Sequence, residues 1–557
     1  MKRPVVVLLL VFLGAAALAT WLFPRAFPTI AIERRIDRSA ALQRADAFLA
    51  RYDLAPDSAR RAIEFAADDS LRTFVELDGG GKDSLDALLR DGQVDLFRWT
   101  ARAFVAGEVR EARVHLSPSG QVRAFRQVLP DSLVRPALDS AAARARADSV
   151  LAEWLGESLA DWSLRSGSWL ARQPGGRIDR TFTYERRDRA VAGAPLRLDI
   201  VIAGDLVAEA RRYVVIPESF GRRYAEMRSA NDLLALLATL GMLGLIVAAM
   251  VSLRRYARER LVRWREPLVV GAIGGVLLAA ASVNQLPANW MAYDTAGSAA
   301  LHQAMGILAA VAVGGGGMLL LTLTLAAAEA LTRQAFPWHL DWWAAWRYRG
   351  SVEVAGRVAG GYVTAAAGFA WVTLFYVVTR RVFGWWVPSA LIDDPNLIAT
   401  PMPWVAGVAL AFQAAISEEA LFRAVPLSLL ALQVARHRNR DAWMAAGVVA
   451  TAILFGFAHS NYPSWPPYSR GVEIFLEACV WGVLFLRFGL LVPVVAHFAY
   501  NLVLFGLFAT AGTGAAYRVS AVVLVTVLLS PALAVAWARL RAGGWVPLGD
   551  DAWFAQW

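Results

Sequence analysis

Apolar and polar positions alternate along this chain in three different rhythms. After Lys2 and Arg3 comes PVVVLLLVFLGAAALATWLF, an uncharged run of about 20 residues, enough to cross roughly 30 Å of hydrocarbon. Residues 1–24 read as a signal anchor. The small residues of AAALAT are of the kind signal peptidase accepts, but the run exceeds the usual h-region of about 7–15 residues, which favours retention. From residue 25 to 228 charges are frequent, apolar residues alternate or recur at three- and four-residue steps, and nothing is long enough to span. From Asn231 the apolar runs are nearly continuous. Spans are expected at 231–252, 268–285, 303–330, 355–379, 403–428, 442–462, 471–487, 489–510 and 517–538, about ten with the anchor.

The polar middle region carries two similar segments, RADAFLARYDL from Arg44 and RADSVLAEWLG from Arg146, each with the periodicity of an amphipathic helix. Each is followed after a gap by strand-like sequence closing on a proline: VHLSPSGQVRAFRQVLP to Pro130 and LDIVIAGDLVAEARRYVVIP to Pro217. SPSGQ and AGD have the composition of hairpin turns. The region therefore reads as two copies of a helix-plus-antiparallel-sheet unit, 38–131 and 137–218. Two unrelated small α+β folds are the alternative. The layout resembles that of PepSY-like domains. His115 falls in the first hairpin as an ordinary strand residue.

Composition supports the membrane reading. Of 557 residues 57% are hydrophobic, 22 are Trp, and the mean hydropathy of +0.43 exceeds that of soluble domains. The net charge of +10 does not point to nucleic acid, because Lys2 and Lys82 are the only lysines and the arginines cluster beside apolar spans, where they act as topology signals. RRYARERLVRWRE, RQAFPWHLDWWAAWRYRG and RHRNRD fall on one side of the span count and are assigned to the cytoplasm. That places residues 25–228, NQLPANWMAYDTAG and SNYPSWPPYSR outside; Arg380 and Arg381 run against this assignment. Cys479 has no partner for an intrachain disulfide. The expected architecture is a polytopic α-helical membrane protein of about ten spans, with an extracytoplasmic α+β domain inserted after the first. Residues 229–400 are helices without an assigned role, 401–540 hold a polar core and the last span, and 541–557 form a cytoplasmic or interfacial tail.

Polar groups within the spans concentrate after Pro403. EEALFR (Glu418 to Arg423), FGFAH (Phe455 to His459) and HFAYN (His497 to Asn501) are each embedded in an apolar helix. An ionisable group at bilayer depth costs at least about 2.5–3.5 kcal/mol, so these need partners or a role. Residues four apart share a helical face, which pairs Glu419 with Arg423 and aligns His497 with Asn501. A desolvated carboxylate suits general acid–base work, imidazole can hold a water or ligate a metal, and a His with an amide can donate to an oxyanion. Neither HExxH nor GxSxG is present, which removes the usual zinc-peptidase and α/β-hydrolase readings.

In order and spacing the three segments resemble the EExxxR, FxxxH and Hxxx(N/D) motifs of the CPBP family of intramembrane proteases, which includes the type II CAAX prenyl endopeptidases and the Abi proteins. The resemblance covers about residues 400–510. It implies that Glu418 activates a water with His459, that His497 and Asn501 stabilise the oxyanion, and that Glu419 and Arg423 form a supporting ion pair. Zn2+ held by Glu418, His459 and His497, with water as fourth ligand, is compatible with these residue types, and so is hydrolysis without metal. Glu473 and Glu477 are expected to pair with Arg423 or Arg487, with facing the cavity as the alternative. Glu329, His302, His339 and His437 are placed at interfaces, and VGGGGM from Val313 is a site of close helix packing. The function expected is an intramembrane endopeptidase acting on a peptide or membrane-protein substrate in the inner (cytoplasmic) membrane. The high-arginine, low-lysine composition suits a bacterium, where prenylated substrates are not expected. The alternatives are a non-catalytic scaffold or bacteriocin-immunity protein on the same fold, and a proton-coupled transporter.

Overall fold

The computed structural model describes residues 3–27, 36–92, 94–389, 394–510 and 512–554. The first apolar run is helix α1 (Arg3–Ala26). The polar region that follows starts with α2 (Arg38–Arg51), whose Asp37 side chain accepts the Ala40 N–H, and its second half starts with α5 (Ser140–Ser149), where Asp139 does the same for Ala142. Each helix is followed by four strands. These are β1 (Arg60–Ala67), β2 (Phe97–Phe104), β3 (Glu111–Leu116) and β4 (Val122–Val128) after α2, and β5 (Trp162–Ala171), β6 (Ile178–Val191), β7 (Ala194–Ala203) and β8 (Leu206–Val214) after α5. Helices α3 (Asp69–Asp78) and α4 (Gly81–Asp91) interrupt the first set between β1 and β2. All eight strands form one antiparallel sheet in the order β1-β2-β3-β4-β8-β7-β6-β5. The two meanders meet through a short β4–β8 ladder, Phe125 opposite Ala210 and Arg126 opposite Glu209.

The period of two along the strands divides the work of the sheet's faces. Ile63, Phe65, Trp99 and Ala101 join the core of the domain with α2. From the alternate positions Ala62 and Phe104 pack on Trp290, Met291 and Tyr293 at the end of a long apolar helix. Between them Arg102 donates to the carbonyls of Trp290 (2.9 Å), Met291 (3.2 Å) and Tyr293 (2.6 Å) while its Nε donates to Glu111 (2.8 Å). A cation on the open carbonyls of a helix end satisfies acceptors that nothing within the helix can reach.

The rest of the chain is helical: α6 (Glu218–Arg258), α7 (Arg265–Asn289), α8 (Ala299–Ala335), the short α9 (Trp342–Arg347), α10 (Val352–Phe383), α11 (Trp404–Glu419), α12 (Val425–Gln433), α13 (Arg440–Phe457), α14 (Ser469–Phe488), α15 (Leu491–Thr510) and α16 (Ala515–Arg541). Among the described residues nine helical segments are long and apolar enough to cross a membrane, α11 and α12 counting as one. The tenth expected span is α14, which carries Arg470, Glu473, Glu477 and Arg487. The chain is thus a polytopic helical membrane protein with a sheet domain after its first helix. The VGGGGM segment packs closely at Gly314, where a Cβ would lie 2.9 Å from the Gly275 carbonyl of α7.

The NQLPANWMAYDTAG connection meets the sheet domain, and so do segments further along the chain. Phe508 stacks near Phe65, Tyr517 reaches the Ile36 carbonyl (3.4 Å), and the Phe65 N–H donates to Asn396 (3.2 Å). Arg380 joins that end too, 3.5 Å from Asp83 of α4, which gives this arginine a local partner against the general charge bias. At the opposite end the tail folds back, with Leu340 bridged to Trp553 and the Asp341 N–H donating to the Ala552 carbonyl (2.9 Å). Burial corrects two sequence expectations. Glu329 and His339 are not interfacial: Glu329 is fully buried with Arg333 (3.1 Å) and Arg263 (3.7 Å), and His339 stacks on Phe336. The 442–462 span is also shorter than expected, ending at Phe457.

Two tests follow from the docking of the sheet domain. Arg102→Ala leaves the buried Glu111 carboxylate with Arg113 alone (3.2 Å) and three helix-end carbonyls open, and should destabilise the docked domain by about 3–5 kcal/mol, seen as a lower melting temperature and faster limited proteolysis of residues 36–217. Lys82 is buried with its Nζ on the Ala26 carbonyl (2.7 Å), and burial lowers its pKa from 10.5 to about 8, with Glu76 opposing and Arg380 reinforcing the shift. Between those values the unfolded chain binds the proton that the folded one releases, so stability should rise as pH increases through the window. Thermal melts across that range should show the rise in wild type and lose it in Lys82→Met.

Candidate active site

The polar motifs are gathered by one irregular helix. Pro426 has no N–H to offer the carbonyl a turn before it, and the helix through EEALFR widens there into a π-turn over Ala420–Ala424, between α11 and α12. The widened turn holds the buried charges. Glu419 is fully buried, and its Oε1 accepts from Arg423 Nη1 (3.1 Å) and from His497 Nδ1 (2.8 Å) of α15. The Arg423 guanidinium lies over the rings of Phe455 (4.0 Å) and Trp481 (5.3 Å), from α13 and α14. Cation–π contacts of this kind are worth about 2 kcal/mol or more when desolvated. The pair predicted from i,i+4 spacing is therefore present, embraced by two aromatic rings and a histidine.

Glu418, the neighbouring carboxylate, is different. Its side chain is 31% exposed, and Oε2 lies 3.8 Å from His497 Nε2. His497 thus stands between the two glutamates, Nδ1 bonded to the buried one and Nε2 facing the accessible one. Because a carboxylate only accepts, Nδ1 carries the hydrogen in the Glu419 bond, and Nε2 is the ring nitrogen left facing Glu418.

His459 and Asn501 are brought near without touching this centre. His459 lies just past the end of α13, with Nδ1 donating to the Phe455 carbonyl (2.8 Å), which leaves Nε2 as its acceptor. Phe455 spaces it from the centre, its ring 4.9 Å from the His459 ring and 6.3 Å from that of His497. Among the described residues His459 makes no ion pair with Glu418, and Asn501, half-buried one turn along from His497, makes no hydrogen bond. No group of three His, Cys, Asp or Glu side chains among the described residues is placed to hold a metal ion. Nδ1 of His497 is bonded to Glu419 and Nδ1 of His459 to a backbone carbonyl, so Nε2 of each ring is the nitrogen left to hold a metal together with Glu418.

Glu473 and Glu477 depart from expectation. Glu473 pairs with Arg470, not with Arg423 or Arg487, and accepts from the Tyr376 hydroxyl (3.0 Å), which in turn receives Arg470 Nη1 (2.7 Å). Glu477 forms no ion pair among the described residues; its carboxylate rests on Gly368 of α10, where any Cβ would overlap it, beside Tyr500. The sequence reading missed Trp481 altogether. Its position, one turn past Glu477 on the face that carries Arg470 and Glu473, was the available signal.

Comparison with known proteins points to the same stretch. Residues 400–503 match the family described as type II CAAX prenyl endopeptidase Rce1-like. The chain is also similar to the sporulation-killing factor biosynthesis protein SkfC of Bacillus subtilis strain 168, 28% identical over 103 residues, which amount to 18% of this chain and 18% of that relative. No solved structure matches the chain. Residues 400–503, the stretch that contains all three polar motifs, carry the sequence of the Rce1-like type II CAAX prenyl endopeptidase family.

Proposed function

We propose that the chain is an intramembrane endopeptidase hydrolysing a peptide bond of a peptide or membrane-protein substrate, with Glu418 as general base. The observation that carries this reading is the unequal pair of glutamates about His497: one carboxylate is consumed by Arg423 and the ring, the other is accessible with no cation of its own. In the proposed reaction Glu418 removes a proton from a water, whose oxygen bonds to the scissile carbonyl carbon. The C–N bond of the resulting tetrahedral intermediate then breaks as Glu418 passes that proton to the leaving amine. His459, with Nε2 free to accept, would orient the water once substrate closes the gap beside Phe455. His497 and Asn501, on one face of α15, would donate to the oxyanion; for His497 this requires a second ring proton, which Glu419 below it would stabilise.

The sequence match is to a protease family, which supports peptide hydrolysis in general terms. The substrate is inferred only as a peptide segment within or beside the membrane. Location in the inner (cytoplasmic) membrane, with residues 25–228 outside, is likewise part of the proposal, supported by the arginine-rich connections gathered at the end of the bundle away from the sheet domain.

Purified wild type and Glu418→Gln, incubated with a membrane-peptide library and read by mass spectrometry, test the reading. Cleavage should fall by about 10²–10⁴ in the variant, the usual contribution of a general base. Equal cleavage by both would remove Glu418 from the chemistry; no cleavage by either, with both folded, would favour the scaffold. A second result decides between hydrolysis with and without metal: turnover lost on stripping with a chelator and restored by Zn2+ assigns a metal to Glu418, His459 and His497, and unchanged turnover assigns the chemistry to the side chains alone.

A further inference from the structure

Five buried polar atoms without a hydrogen-bond partner among the described residues follow one another through the bundle. Arg470 Nε, Glu477 Oε1 and Trp481 Nε1 lie along α14, and Arg423 Nη2 and Glu419 Oε2 on the π-turn beside it. Positions 470, 473, 477 and 481 recur at three- and four-residue steps, so they form one stripe on one face of α14. That face meets α10 through Tyr376 and Gly368, and α15 through Tyr500 and His497, whose ring lies 4.8 Å from Trp481. Glu477 is within electrostatic reach of both ends of the stripe, Arg470 and Glu473 on one side, Arg423 and Glu419 on the other.

The stripe has a mouth. A cavity of about 200 Å³ opens between the sheet domain and α10, and Tyr376, the residue that binds Arg470 and Glu473, forms part of its wall together with Lys82, Glu76 and Trp386. A polar line thus runs from a cavity beneath the sheet domain to the accessible glutamate. Over 90% of buried polar atoms in proteins are paired with protein or ordered water, and a buried water makes about three hydrogen bonds. Five such atoms along one stripe supply the partners of a file of waters. Gly368 keeps that file open, since any side chain there would displace the Glu477 carboxylate.

We propose that this stripe is the path by which hydrolytic water enters from the sheet-domain side, with Glu477 as the positioning residue midway. The inference rests on reading Glu418 as a hydrolytic base. Each turnover consumes one water, whose oxygen ends in the new carboxylate and whose hydrogens are divided between the two products. A site surrounded by hydrocarbon must be resupplied with water, and Glu477 would hold the next molecule between the Arg470–Glu473–Tyr376 cluster and the Glu419–Arg423 pair.

Hydroxyl-radical footprinting by water radiolysis, on the full chain in lipid nanodiscs with 18O-labelled water, tests the path without relying on catalysis. Tyr376, Tyr500 and Trp481 should be oxidised several-fold faster than the outward-facing Trp537 of α16; oxidation no faster than at Trp537 would overturn the proposal. Glu477→Leu should leave Tyr376 labelled and protect Trp481, with kcat falling more than KM changes. Trp481 labelled as in wild type would show that water arrives from the other side, overturning the direction. Gly368→Ala displaces the same carboxylate by a single methyl and serves if the leucine variant does not fold. A labelled stripe in a protein that cuts no peptide would sustain the path and remove the hydrolytic reading, so the two claims fail separately.

Discussion

The buried pairing of Glu419 with Arg423 is the constraint around which the polar end of the bundle is organised. A lone carboxylate or guanidinium in hydrocarbon costs more than most folding contacts can offset, so each needs the other, and together they still leave polar edges exposed to low dielectric. The surrounding helices supply what remains: a histidine on the carboxylate, and aromatic faces from two further helices on the guanidinium. Four helices are thereby fixed in register by one ion pair. The same satisfied pair frees its neighbour, because with Arg423 committed no cation of that helix is left to neutralise Glu418. Accessibility and lack of a partner, rather than any unusual residue type, distinguish the second glutamate.

The sheet domain is tied to the bundle by contacts of another kind. Arg102 closes the carbonyl end of α7, Glu76 receives the Trp386 indole (2.9 Å) and the Ser389 N–H (3.1 Å), and Lys82 caps the last turn of α1. These are helix and loop ends whose backbone groups would otherwise face the membrane surface unsatisfied. By occupying them the domain becomes part of the bundle's hydrogen bonding, so that a load on the sheet is felt at α1, α7 and α10 together. It also walls the cavity above Tyr376, which makes the domain part of whatever passes through that opening.

Much of this was legible in the sequence. Charges in apolar runs are rare enough that EEALFR, FGFAH and HFAYN stood out, and helical periodicity correctly paired Glu419 with Arg423. Alternation and repetition likewise anticipated a helix followed by strands on either side of Pro130. What periodicity cannot supply is which helix faces which. Glu473 was given to Arg423 or Arg487 because all three lie in spans, whereas Arg470 is one turn away on the same helix and Tyr376 approaches from α10. Glu329 was placed at an interface because its run ends soon after, whereas Arg333 one turn on and Arg263 from the connection before α7 close over it. The end of α13 was drawn late because HSNYPSWPPY offers no stop before Pro463; in the structure the imidazole of His459 already bonds back to Phe455 in the last turn.

The contacts between Ile36 and Tyr517, and between Phe65 and Phe508, join parts of the chain separated by more than four hundred residues. A ribosome making this protein finishes the sheet domain long before it makes α15 and α16, so for most of synthesis the domain has nothing complete to sit on. Its underside, with Ala62, Phe104 and Arg102, waits beside a half-built bundle while the later helices insert one after another. The seat first formed by Arg102, Lys82 and Glu76 on the earlier helices is therefore completed only when α15 and α16 bring Phe508 and Tyr517 against the domain.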